Sequence, residues 1–412
     1  MKILLVAQKY PPFVGGVEVH VRQISRRYRD LGHDVRIAAA NFAPYTGNRQ
    51  WAVLHDSLLA PTVRDHVDGG IPVNAINPQN PLERARLLPM ALRAVPILNR
   101  NYGRLQLATY PAFRSAYLRK AIALCQDVDV VHSLANGLLG WTFREAAHRC
   151  GKPFVNTPFI HPHQWGDDIG DVAFYKQCDA MVGLVETDSE YMRSLGVPSA
   201  NVHTIGVSPD LPDSVDGAGF RERHGLGDRP VVLYVGRMMR QKGAFALVSA
   251  MEKVWAKVPD TEFVFIGPGS AEETAIFDGI DPRARYLGKV SFQEKGDAID
   301  ACTVFCMPSM SEILPTVYLE SWSLGKPVVG GRAHGLPELI EGNNAGLAVA
   351  QEEEPISSAL VNLLSDPDLR ARYAAAGMEL VRSRYSVDAV TGQLLALYSD
   401  LVEKRNGRKS QA

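Results

Sequence analysis

An α/β fold in two doubly wound domains follows from three features of the sequence. Short apolar runs alternate with segments of helical spacing from the first residues onward. The alternation breaks once, at a stretch rich in Pro, Gly, Asp and Ser, and then restarts. At 412 residues the chain also exceeds one ordinary core. The division expected is a first domain over 1–205, a linker over 206–228, a second domain over 229–385, and a final helix and tail over 386–412.

The first forty residues set the pattern. KILLVAQ is a continuous apolar run, as a strand buried on both faces requires. PPFVGG reads as a loop. VEVHVRQISRRYRDLGH then places Val17, Val21, Ile24, Tyr28 and Leu31 at helical spacing and stops at Gly32. DVRIAAA is the next strand, completing a βαβ unit. DVDVVHSL, the helix around GWTFREAAHRCG, KPFVNTP, DAMVGLVE and NVHTIG continue the series. The break is IGVSPDLPDSVDGAGF, read as a hinge. In the second half RPVVLYVG, TEFVFIGPG, RARYLGKV, TVFCMPS, KPVVGG and AGLAVA read as strands and their exits, with GAFALVSAMEKVWAKVP as an intervening helix. The last helix is expected from about Ser386 to Lys404, followed by a frayed RNGRKSQA.

Residues 78–120 do not fit the alternation. They hold eight Arg or Lys against one acid, a local net of +7 in a chain whose formal charge is −1. LLPMAL and VPIL lie between the charges, broken by Pro89 and Pro96. Two readings stand: a solvated helical insertion covering one edge of the sheet, or a surface for anionic lipid headgroups or a negatively charged acceptor.

Composition excludes several classes. With 46% apolar and 22% charged residues and almost no net charge, nothing global marks a polyanion-binding protein, and no nucleic-acid partner is expected. The apolar run Ile3–Ala7 is too short for a signal-peptide core, and no stretch nears the ~20 apolar residues of a membrane span. Five cysteines without a CxxC pair fit buried thiols in a reducing compartment. A cytoplasmic enzyme is the expectation, with peripheral contact at the inner face of the membrane if the second reading of 78–120 holds.

Chemistry concentrates in the second half. In SMSEILPTVYLESWSLGKPVVG, Pro315 suits the first helical position, so a helix is expected from about Pro315 to Leu324, ended by Gly325. Glu312 falls in the loop ahead of it, at the C-terminal end of the preceding strand, where open parallel sheets bind ligands. Thr316 and Glu320 lie one turn apart on one face. Backbone N–H groups at such a helix tip favour anions, and carboxylates accept hydrogen bonds from vicinal hydroxyls. A polyhydroxylated, phosphorylated ligand matches that set. In VVLYVGRMMRQKG, Arg237 and Lys242 bracket the loop that follows a strand, a spacing that can clamp a diphosphate. Gly15 and Gly16 precede a helix, and Gly267 lies in the strand-exit turn FIGPG, where glycine lets backbone approach a phosphate.

This combination resembles the family 4 glycosyltransferases of the GT-B fold, over nearly the whole chain. The segments that carry the resemblance are PPFVGGVEVHV, YVGRMMRQKG and SEILPTVYLESWSLGKPVVG, whose two glutamates are spaced E-x7-E. The resemblance implies two facing Rossmann-like domains with the donor in the cleft between them. It implies retaining transfer of a hexosyl or N-acetylhexosaminyl group from a nucleotide-diphosphate sugar, UDP- or GDP-type, to a sugar, lipid-linked or secondary-metabolite acceptor. By resemblance Arg237 and Lys242 hold the donor diphosphate, Glu312 contacts the donor sugar and Glu320 the ribose. Gly15 and Gly16 approach the phosphate or acceptor from the other domain. A family histidine that reaches the donor sugar is matched by His161 in NTPFIHPHQW, with His163 and His132 as alternatives. Members commonly carry a glycine two or three residues past the first glutamate, whereas this chain has Ile313-Leu314-Pro315. Either Thr316 replaces that glycine's N–H, or the donor sits differently.

No metal or cofactor is expected. Asp127-Val-Asp129 spells DxD but precedes its strand, Asp167 and Asp168 lack a third ligand, and His161 with His163 is an incomplete set. The rival readings are a nucleotide-sugar epimerase and a non-catalytic nucleotide-sugar-binding protein on the same fold. A dehydrogenase is the least favoured reading, since no G-x-G-x-x-G with a ribose-binding acid follows the first strand.

Overall fold

In the computed structural model, residues 1–11, 15–41, 64–78, 80–95, 97–98 and 102–409 are described. Part of the PPFVGG loop, Pro12 to Val14, lies outside the described residues. The chain forms two compact units, Met1–Ile205 with Val390–Ala412, and Gly206–Ala389.

The first unit is built on an eight-stranded sheet. Its strands are β1 (Lys2–Lys9), β2 (Asp34–Asn41), β3 (His66–Asp68), β4 (Ile71–Ala75), β5 (Val130–Ser133), β6 (Phe154–Asn156), β7 (Ala180–Gly183) and β8 (Val202–Thr204). Their order is β3-β4-β2-β1-β5-β6-β7-β8, and all pairings are parallel except β3 with β4. Burial on both faces explains why β1 reads as an unbroken apolar run. One face packs Val21, Ile24 and Tyr28 of the helix Gly16–Asp30 together with Val390, Leu394 and Tyr398 of the last helix. The other face buries Phe113, Tyr117, Leu118 and Ala121 of the helix Tyr102–Gln126, with Leu138 and Trp141 of the helix Leu138–Arg149.

Three expectations change here. The basic stretch 78–120 is not a covering for a sheet edge. Its long helix supplies core to one sheet face and continues through an exposed Pro111, while Leu87 and Met90 are buried beside it. The last helix runs Val387–Lys409, so the segment read as a frayed tail is helical up to Lys409, and its apolar face completes the first unit. Segment 206–228, read as a linker, is folded onto the second unit. Its helix Gly217–Arg223 is tied to the helix Phe292–Ala301 through Gly217 N–H to Asp300 at 2.9 Å and Arg223 to Asp297 at 3.1 Å.

The second unit has six parallel strands: β9 (Val231–Val235), β10 (Glu262–Ile266), β11 (Ala284–Gly288), β12 (Val304–Met307), β13 (Val328–Gly331) and β14 (Gly346–Val349). Their order is β11-β10-β9-β12-β13-β14. This is the doubly wound arrangement in which the chain begins at the centre, winds outward, and returns to build the other half. Two helices that the sequence reading passed over, Glu353–Ser365 and Pro367–Leu380, follow β14.

Candidate active site

The winding of the second unit fixes where a ligand can sit. β9 and β12 are neighbours whose connections leave in opposite directions, which opens a crevice at their C-terminal ends. The two loops that leave there are tied together. Met310 N–H donates to the Gln241 carbonyl at 2.8 Å, and the Ser309 hydroxyl donates to the same carbonyl at 3.1 Å. Gly243 makes the close approach possible. Its φ is +91°, and a Cβ there would lie 2.7 Å from the Pro308 carbonyl oxygen.

This tie brings Lys242 and Glu312 into contact. The Lys242 ammonium lies 2.5 Å from Glu312 Oε1 and donates to the Ser311 carbonyl at 2.9 Å. Burial pushes the Glu312 carboxyl above its ordinary pKa, and the charges of Lys242 and Arg237 oppose that rise. Arg237 itself is exposed in the loop after β9 and makes no ion pair among the described residues. A cation without a fixed partner, close enough to act on Glu312, is free to take an anionic ligand.

The helix that follows is Thr316–Ser323. Pro315 occupies the capping position, with φ −71° and ψ 116°, so the helix starts one residue later than the sequence suggests. The reason is that the extended ψ carries the chain out of the loop before the first turn closes. The helix is pinned to the sheet by the Tyr318 hydroxyl, which donates to the Met307 carbonyl at 2.6 Å, and by the Trp322 indole N–H to the Ala345 carbonyl at 2.7 Å. Its end is closed by Gly325 at φ +67° and by Lys326 N–H to the Ser321 carbonyl at 2.9 Å. With its far end fixed, the first turn presents backbone N–H groups at the same end of the sheet as Lys242 and Arg237.

Glu320 is 1% exposed and lies 2.8 Å from the Lys295 ammonium, which also donates to the Asp210 carbonyl at 3.1 Å. Burial raises its pKa, and Lys295 opposes the rise. Lys295 is a residue that sequence reasoning missed. It follows Ser291, which caps the helix Phe292–Ala301, and nothing in SFQEKGDAI ties it to a glutamate 25 residues later. Thr316, half-buried, is one turn from Glu320 on the same helix. Gly267 sits at the exit of β10 with φ +139°, and a Cβ on it would lie 1.9 Å from the Gly236 carbonyl oxygen. Its glycine identity is therefore required by the packing of two strand exits.

The remaining candidates belong to the first unit. Gly15 caps the helix Gly16–Asp30 in an extended conformation, and a Cβ on Gly16 would meet nothing within 4 Å. Among the described residues, neither packing nor backbone strain requires glycine at Gly16. His161 bridges to Trp165 and its ring lies 4.7 Å from the indole. His163 is exposed with φ +61°. His132 is buried in the core, with its ring nitrogens against the Tyr398 and Thr157 hydroxyls at 2.5 and 2.8 Å, and its pKa is lowered to about 3 by burial. Among the described residues no group of three or more His, Cys, Asp or Glu side chains could hold a metal ion.

Each unit is a doubly wound α/β domain, and the second carries charged residues at its β9–β12 crevice. Residues 14–208 match the family model for Glycosyltransferase Family 4, and residues 229–366 match that for Glycosyl transferases group 1. The chain belongs to the family 4 glycosyltransferases. Among similar proteins, the alpha-D-kanosaminyltransferase of Streptomyces kanamyceticus is 31% identical over 222 residues, covering 52% of this chain and 58% of that one. A GDP-mannose-dependent phosphatidylinositol monomannoside mannosyltransferase of Mycolicibacterium smegmatis is 33% identical over 206 residues, covering 46% and 54%. The matches thus span little more than half the length of these relatives. Among solved structures, an Anabaena protein in complex with UDP aligns with a TM-score of 0.72 at 17% identity, covering 97% of this chain and 100% of that one. These structures share the fold.

Proposed function

We propose that the protein is a retaining glycosyltransferase that moves a hexosyl or N-acetylhexosaminyl group from a UDP- or GDP-sugar to a sugar or lipid-linked acceptor. The observation that carries this reading is the Lys242–Glu312 pair beside the unpaired Arg237, at the β9–β12 crevice and next to the tip of the helix Thr316–Ser323. Lys242 and Arg237 would take the diphosphate, Thr316 would supply N–H and hydroxyl where the family glycine is lacking, and Glu320 would accept from the ribose hydroxyls. Glu312 would accept from the donor sugar. It is not assigned as a nucleophile, because the family resemblance favours front-face displacement; the Lys242 ammonium at Oε1 leaves Oε2 to accept from a sugar hydroxyl.

In the step proposed, the bond between the anomeric carbon and the diphosphate oxygen breaks, and the electron pair leaves with the diphosphate. The acceptor hydroxyl oxygen bonds to the anomeric carbon on the same face, and its proton passes to the leaving diphosphate. The protein's contribution is charge stabilisation of the departing group by Arg237 and Lys242. From the first unit, His161 is the candidate for the donor sugar, and Gly15 and Gly16 for the phosphate or acceptor. A membrane-held acceptor, met through 78–120, completes the reading.

The test is release of nucleoside diphosphate from a panel of sugar nucleotides with a metabolite extract, followed by proton NMR of the product's anomeric linkage. Release with the donor's anomeric configuration kept supports the proposal. Binding without turnover favours the non-catalytic alternative, and conversion of the free sugar nucleotide favours an epimerase.

A further inference from the structure

Exposed apolar side chains are unevenly placed on this chain. Leu82, Leu88, Leu92, Val95, Ile97, Leu98, Tyr102 and Leu107 are each between 39% and 79% exposed, and all lie within 26 residues of one another. Leu82 is in the helix Pro81–Ala85, Leu88 and Leu92 are in the turn Leu88–Ala94, Tyr102 and Leu107 are in the first turns of the helix Tyr102–Gln126, and Val95, Ile97 and Leu98 lie between the last two. Scattered surface leucines need no explanation, but a cluster of this density marks an interaction surface.

Charge supplies the identity of the partner. Arg86, Arg104 and Arg119 are exposed on the same segment, and the Arg119 side chain is 90% exposed. The long helix carries Arg104, Leu107, Ala108, Pro111, Ser115 and Arg119 along one solvent face. The one acid between 78 and 120, Glu83, is 21% exposed and is paired with Arg119 at 3.3 Å. Between these helices a cavity of about 350 Å³ is lined by Asn77, Asn80, Glu83, Arg119 and Lys120. Apolar side chains flanked by cations, with no exposed acid among them, match the boundary of an anionic bilayer, where acyl chains meet phosphate headgroups. Among the described residues no helix is long and apolar enough to cross a membrane, so contact is from one side.

We infer that the exposed face carrying these described side chains docks the first unit on the anionic face of a lipid bilayer, with Leu82, Leu88, Leu92 and Leu107 entering the acyl boundary and Arg86, Arg104 and Arg119 meeting phosphates. It gives residue detail to the membrane-held acceptor of the proposed function and rests on that reading for its purpose only. Vesicle binding and sugar transfer are read out separately, so each can fail alone.

The test is sedimentation of the full chain with vesicles of phosphatidylcholine alone and with one quarter phosphatidylglycerol, in low and high salt. Binding to the anionic vesicles only, weakened by salt, is expected. Leu88→Ser/Leu92→Ser/Leu107→Ser should reduce it at least tenfold, and Arg104→Gln and Arg119→Gln by about fivefold each. The melting temperature should be unchanged in all of them, since these side chains are exposed. Equal binding to both vesicle types, or no binding, overturns the inference. So does a wild-type dimer that the leucine variant dissociates while vesicle binding persists, which would assign the face to a second copy.

Discussion

The ammonium of Lys242 lies 2.5 Å from Glu312 Oε1, joining loops that are 70 residues apart in sequence. This contact makes the two residues interdependent. Glu312 is only 16% exposed at its side chain, so a neutral residue at 242 leaves a carboxylate desolvated with its nearest cation gone. Lys242→Ala should therefore lower stability by about 2 kcal/mol, less than for a fully buried pair because both partners keep some solvent contact. Lys242→Ala/Glu312→Ala should lose less than the sum of the single variants, which urea unfolding of all three will show. Losses that add independently would mean the pair is not coupled.

Arg237 behaves differently because it is exposed and makes no ion pair among the described residues. Arg237→Ala should leave the melting temperature unchanged and reduce kcat/KM by about 10²–10³, the cost of removing one transition-state charge contact. Steady-state kinetics beside a thermal melt check both halves. Wild-type turnover would remove Arg237 from the diphosphate site.

Gly243 holds the two loops at their observed separation. Gly243→Ala puts a side chain at φ +91° and a Cβ 2.7 Å from the Pro308 carbonyl oxygen. A loss of about 2 kcal/mol or more is expected from the backbone strain and the clash, together with reduced turnover as the Lys242–Glu312 contact opens. A fully stable, fully active variant would show that the close approach is not needed.

Acid should destabilise the first unit through its buried histidines. Burial lowers the pKa of His20 to about 4 and of His132 to about 3. In the unfolded chain both titrate near the ordinary value of about 6.5. Below that pH the unfolded state binds protons that the folded state refuses, so stability falls as pH drops from about 6.5 towards 4. Each group contributes about 2 kcal/mol of loss between pH 7 and pH 4.5. His20 Nδ1 has no hydrogen-bond partner among the described residues, so His20→Leu removes its share without orphaning a neighbour. The variant should gain about 2 kcal/mol on the wild type between those two pH values, measured by urea unfolding at each. A constant difference would contradict the buried, neutral state.

Much of the fold is legible because strands covered on both faces must be apolar throughout. β1, β9, β10 and β12 read at once for that reason. β3, His66–Asp68, does not, since two of its three residues are exposed and it pairs antiparallel at the sheet's edge. The helix Tyr102–Gln126 was obscured by Pro111, whose exposed position lets the helix pass through it. At the site, residue types and local spacing point to Arg237, Lys242, Glu312, Thr316 and Glu320. The pairing of Lys242 with Glu312 and of Lys295 with Glu320 is set by tertiary winding, and no local spacing encodes either.

The central claim is that the β9–β12 crevice receives a nucleoside diphosphate. A crystal structure of the protein soaked with UDP or GDP tests it most directly. The account predicts diphosphate oxygens within hydrogen-bonding distance of Arg237 and Lys242, and ribose hydroxyls on Glu320. A nucleotide bound elsewhere, with those three side chains untouched, would contradict it.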